Sequence, residues 1–142
     1  MNSRMQSFIL VSICFLGLTF GYAQQFDSCV KELKKTDKKG ENKVLLCAED
    51  LYQSTYYLSL KTPIALHYHE LHSENIFVLS GRAKMQLGED VFFIKKGMHV
   101  HIPKGTPHAV LDIIGRKRLV VISVQSPKFD GVDRKFISTK NK

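Results

Sequence analysis

No second long apolar stretch follows the one at the N-terminus, which excludes a polytopic membrane protein. Low-complexity blocks are absent too, and with 44% hydrophobic residues that excludes a disordered or fibrous chain. Repeats of the solenoid kind are missing. So are a Ser-His-Asp order, a phosphate-binding loop and a paired-carboxylate spacing. Acidic residues are scarce: 13 Asp+Glu stand against 21 Lys+Arg, a net charge of +8. That excess suits nucleic acid, an anionic substrate or a solvated surface. The lysine-rich tract Lys31–Lys43 is interrupted by Glu32, Asp37 and Glu41, and it carries neither aromatic nor helical organisation. No nucleic-acid partner is therefore expected. A length of 142 residues allows one ordinary domain, or a targeting segment and one small domain.

Residues 1–23 read as an export signal. Arg4 supplies the positive end, Phe8–Phe20 is apolar apart from Ser12, Gly17 and Thr19, and Gly21-Tyr22-Ala23 offers small residues for cleavage. The run is short for a bilayer span, so no stable membrane insertion is expected after cleavage. Cys14 follows Ile13, which is not the small residue that a lipoprotein site requires. A secreted or periplasmic location follows. Of the cysteines, Cys29 and Cys47 remain in the mature chain. In an oxidising compartment they suggest a disulfide tying an N-terminal arm, residues 24–43, to the domain. Two buried or free thiols are the other reading, because spacing does not establish geometry.

From Val44 the texture changes to short β-type runs: Val44–Cys47, Tyr52–Leu60, Ile64–Tyr68, Asn75–Leu79, Ala83–Leu87, Val91–Ile94, His99–Ile102, Ala109–Ile114 and Leu119–Gln125. Ala83–Leu87 and Met98–Ile102 alternate apolar with polar residues. Glycines at 81, 88, 97, 105 and 115 punctuate the runs, and Pro103 and Pro107 bracket a tight loop. Many short strands at regular spacing predict an all-β sandwich or barrel. The charged tail 126–142 is expected to pack as an irregular extension.

All six histidines fall between residues 67 and 108. His67 and His69 are two apart on a strand, so both project from one face. Glu74 follows a short turn that can bring its carboxylate back beside them. His108 follows the rigid loop Pro103–Pro107. Several imidazoles with one carboxylate form a donor set for first-row transition metals. The spacings His67-x-His69-x4-Glu74-x6-Gly81 and Gly97-x5-Pro103-x-Gly105-x2-His108 resemble the two motifs of the cupin superfamily. Asp112 stands where cupins often have Asn, a position that is not a ligand. The resemblance covers residues 44–125. It implies a double-stranded β-helix, or jelly-roll, barrel in which His67, His69, Glu74 and His108 bind one metal. It also implies turns at Gly81, Gly97 and Gly105, and a homodimer paired through an outer sheet face. HYHELHSENIFVLSGRAKM and VQSPKFDGVDRKF look most like small proteins related to the cupin part of mannose-6-phosphate isomerases.

Four protein ligands close a tetrahedral shell, which makes a zinc site structural; in an octahedral shell they leave two positions open, which suits Mn, Fe or Ni. Such a metal polarises a carbonyl or carboxylate, or activates water. Taking Glu74 as inward makes Ile76 and Val78 inward too, a dry floor for the site. His99 and His101 share the strand face opposite Met98, Val100 and Ile102. Facing inward, His101 is a substrate-binding candidate; facing outward, the favoured reading, both are surface or interface residues. Tyr56 and Tyr57 have opposite parity, so one faces the barrel. His72, in the turn before Glu74, is expected to be solvated. These features fit an exported metal-dependent isomerase, lyase or oxygenase acting on a small sugar-derived or acidic molecule. A non-enzymatic metal-dependent module that binds a sugar or small anion, and a metal-storage or structural role, are the alternatives.

Overall fold

The computed structural model describes Cys29, Lys31, Glu32 and residues 41–138. The expected signal segment 1–23 and most of the arm 24–43 lie outside the described residues. The strands are β1 (Lys43–Glu49), β2 (Ser54–Leu60), β3 (Ile64–Tyr68), β4 (Ser73–Ser80), β5 (Arg82–Leu87), β6 (Asp90–Lys95), β7 (His99–Ile102), β8 (His108–Ile113), β9 (Leu119–Ser126) and β10 (Lys135–Phe136). Each of the nine predicted runs overlaps one of β1 to β9. The second run begins late, at Ser54, because Asp50 Oδ1 accepts the amide protons of Tyr52 and Gln53 at 2.7 and 2.9 Å. That side-chain turn takes residues 50–53 out of the ladder.

The strands form two five-stranded antiparallel sheets, ordered β1-β2-β9-β4-β7 and β10-β3-β8-β5-β6. Alternation decides which side chains meet between them. On β5, Ala83 and Met85 are buried while Arg82 and Lys84 face water; on β7, Val100 and Ile102 are buried while His99 and His101 are exposed. Leu60 of β2, Ile76 and Val78 of β4, Ile94 of β6, Val110 of β8, and Leu119 and Val121 of β9 complete the core. This is the double-stranded β-helix barrel. Gly81 joins β4 to β5 at φ +82°, and a Cβ there would run into the Arg118 carbonyl. Glycine alone fits the left-handed turn and the close backbone approach.

The described part of the tail is irregular apart from one short strand. Its β10 extends the second sheet by pairing with β3, setting Phe136 opposite His67, and Ile137 N–H donates to the Leu66 carbonyl at 3.0 Å. Asp130 Oδ1 accepts from the amides of Val132 and Asp133, a local turn that delivers Asp133 into the interior. At the far edge of the first sheet, Cys47 on β1 is disulfide-bonded to Cys29, with Cα atoms 5.7 Å apart.

Candidate metal centre

The pairing of β3 with β8 sets His67 directly opposite His108. His69 lies just beyond β3, and Gly105 of the Pro103–Pro107 loop holds it there by donating its amide to the His69 carbonyl at 2.6 Å. Glu74 enters from β4 on the other sheet. All four side chains are buried. The imidazole centroids are 4.2 Å apart for His67 and His108, 5.1 Å for His67 and His69, and 5.3 Å for His69 and His108. One ring nitrogen from each histidine lies within 4.8 Å of the others. Glu74 Oε2 is 3.3 Å from His108 Nε2 and 3.9 Å from His69 Nε2. The four residues singled out in the sequence converge.

Their hydrogen bonds fix the tautomers. His67 Nδ1 donates to the Ala65 carbonyl at 2.8 Å, His108 Nδ1 to the Thr106 carbonyl at 3.0 Å, and His69 Nδ1 to the Asp133 carbonyl. A carbonyl only accepts, so the proton sits on Nδ1 and the lone pair on Nε2. The Nε2 atoms of His69 and His108 are buried without a partner. Two lone pairs directed at a buried carboxylate, with no donor between them among the described residues, are costly unless a cation fills the gap. Backbone-anchored imidazoles of this kind are characteristic of metal ligands. The residues present fit a metal.

Burial, followed by the neighbouring His108, holds His67 down to about 4. Burial likewise lowers His69. Burial alone would push Glu74 up, but His108, when its Nε2 carries a proton in the metal-free site, and the Ser123 hydroxyl, which donates to Oε1, hold it down to about 2; a bound metal would take the place of that proton. At neutral pH the site therefore presents neutral His67 and His69 beside an anionic carboxylate, the forms that bind metals.

Several residues were not evident from the sequence. His72 corrects the expectation of a solvated turn: it is buried, with Nδ1 2.9 Å from Asp133 Oδ2 and its ring packed on His69 at 4.1 Å. Asp133 Oδ1 and Oδ2 also accept the amides of Glu70 and Leu71 at 2.9 and 2.8 Å. His69, His72 and Asp133 form a second cluster of metal-ligand atoms. The Asp133 carboxylate is already committed to two amides, so this cluster supports the centre rather than making another. Phe129 covers it edge-on, 5.3 Å from His72 and 6.1 Å from His69. In the sequence, Phe129 and Asp133 stood out only as part of VQSPKFDGVDRKF, a segment that carried a resemblance but no role for either residue. His101 does not line the pocket, which corrects its candidacy for substrate binding. It is exposed on the outer sheet face, where Asn75 Oδ1 lies 3.0 Å from both His101 Nδ1 and His99 Nε2. Val100 and Ile102 occupy the inward positions.

A cavity of about 60 Å³ opens beside the centre, lined by His67, Glu74, His108 and Arg134 and floored by apolar side chains that include Ile76, Met85 and Val121. Tyr56 is the tyrosine that faces inward. It lines an adjoining cavity of about 50 Å³ with Glu74, Ser123 and Gln125.

The profile of the cupin domain family matches residues 60–125, a span that holds all four converging residues. An uncharacterized protein of Methanocaldococcus jannaschii is 32% identical over 72 residues, 51% of this chain and 57% of that protein. The chain spans less than two thirds of the length of the curated relatives it matches. A Klebsiella pneumoniae protein with a double-stranded beta-helix domain superposes with a TM-score of 0.61 at 20% identity, covering 72% of this chain and 89% of that one. Pac13 of Streptomyces, a nucleoside dehydratase, superposes with a TM-score of 0.57 at 16% identity, covering 71% of this chain and 84% of its own. Motif spacing, barrel topology and family profile agree that residues 60–125 form a cupin domain.

Proposed function

We propose that this cupin is an exported, metal-dependent enzyme that binds a small oxygen-rich molecule and acts as an isomerase, lyase or oxygenase. The observation that carries the reading is the convergence of His67, His69, His108 and Glu74, with orphaned Nε2 atoms, at the head of a cavity. Held by these four residues, a divalent Mn, Fe, Ni or Zn ion would supply a Lewis acid for a ligand oxygen. The chain's own contribution is positional. Backbone carbonyls orient the imidazoles, Ser123 holds the carboxylate, and the apolar floor keeps water from competing for the site. That one protein of this fold is a nucleoside dehydratase supports trying lyase chemistry first.

A second reading, a non-enzymatic binding module, is favoured by one observation. Apart from His67, Glu74, His108 and Arg134, the cavity of about 60 Å³ is lined by apolar side chains and offers no separate general acid or base. A screen of the metal-loaded protein and its chelated form over sugars, uronates and keto acids tests the choice. Metal-dependent turnover of any of them supports the enzyme, whereas saturable binding with no product across the panel favours the module. Export rests on the signal-like segment and accords with the Cys29–Cys47 disulfide. Mass spectrometry of protein exported by an expressing bacterium should find Gln24 at the N-terminus. Pairing as a homodimer through an outer sheet face, where Phe77 and Leu79 are exposed, completes the proposal; light scattering tests it.

A further inference from the structure

Arg134 and Gln125 have no role in holding a metal, yet both border the centre. Asp133 is pinned by Glu70, Leu71 and His72, and the next residue is therefore placed at the cavity. Arg134 lines both the cavity beside His67 and His108 and the adjoining one beside Ser123 and Gln125. Its guanidinium pairs with no carboxylate among the described residues. The nearby acids are committed elsewhere: Glu74 faces the histidines, and Asp133 caps two amides. Gln125 is only 4% exposed, and its Oε1 is buried without a hydrogen-bond partner. A buried acceptor left unpaired is costly, and it marks a place where a ligand supplies the missing donor.

We infer that these two residues form a subsite for a hydroxy acid. Arg134 would pair with the carboxylate through its planar fork, and Gln125 Oε1 would accept a hydrogen bond from a hydroxyl on the same molecule. The two groups demand different chemistry, one an anion and the other a hydroxyl donor, and a molecule carrying both satisfies them together. Charge balance agrees. A divalent metal with one carboxylate ligand leaves an excess positive charge, and Arg134 adds another, so the pocket favours an anion. Each cavity is small, about 60 and about 50 Å³, which favours a short-chain acid or the acidic end of a longer one.

This inference rests on the metal-dependent reading, and its test separates the two. The full chain is loaded with cobalt(II), and its visible spectrum is followed during titration with glycerate, propionate or glycerol. Glycerate should bind at least about 10-fold more tightly than either partial analogue. Arg134→Gln should weaken glycerate and propionate but leave glycerol unchanged. Gln125→Met should weaken glycerate and glycerol but leave propionate unchanged, with cobalt content intact in both variants. Arg134→Lys, which keeps the charge and loses the fork, should fall between wild type and Arg134→Gln and guards against a folding artefact. If the wild type takes up no cobalt, the metal reading falls and this inference falls with it. Cobalt bound normally, with glycerate no tighter than propionate or with both substitutions silent, would overturn the hydroxy-acid subsite alone.

Discussion

At the scale of single residues, the account turns on where protons sit. His67, His69 and His108 each give the Nδ1 proton to a backbone carbonyl, which leaves Nε2 as the donor atom. His69 depends on the most distant support, the carbonyl of Asp133, 64 residues along the chain. Asp133→Ala would free the loop that carries this carbonyl and strip the Glu70 and Leu71 amides of their acceptor. The substitution should weaken metal binding by about 10- to 100-fold, measured by competition with a chelator. Unchanged affinity would show that Asp133 does not position the site. Acid should act through the same residues. His67 lies near 4 in the fold, below its ordinary 6.5, so it costs the fold nothing above pH 6.5 and destabilises it as pH falls from 6.5 through 4. Glu74 lies near 2 against an ordinary 4.5, so its contribution is complete above pH 4.5 and fades as pH falls toward 2. Both run in one direction. The metal-free protein should melt at a lower temperature at pH 4 than at pH 7, and a flat profile over that range would contradict these assignments.

At the scale of elements, strand parity explains both what could be read and what could not. A period of two places His67 and His69 on one face and puts Ile76 and Val78 beside Glu74, so the centre of the site was legible. Parity also groups His99 with His101, but it does not say which face is inward; the buried Val100 and Ile102 settle it. His72 could not be placed from its neighbours, because its partner Asp133 lies in a polar tail that carries no strand-like run. Such a long-range contact leaves no local pattern. The tail is nonetheless structural, since β10 pairs with the strand that carries His67. Gly81 gives a test at this scale. Gly81→Ala combines an unfavourable positive φ with a clash against the Arg118 carbonyl and should cost at least about 1 kcal/mol in denaturant unfolding. A neutral effect would mean that the β4–β5 turn has room to relax.

At the scale of the whole molecule, two sheets bring one carboxylate and three imidazoles together from three strands and a loop, and the tail braces them from outside the family motif. The positive excess noted in the sequence acquires a local meaning in Arg134, an unpaired cation at the mouth of the cavity. Among the described residues no other lysine or arginine lines the two cavities at the centre. The most direct test of the account is the metal content of the purified mature chain, by elemental analysis, beside that of a His67→Ala/His69→Ala double variant. The account predicts about one equivalent of a divalent transition metal in the wild type and well below one in the double variant that remains folded. Equal metal content in the two proteins would contradict it.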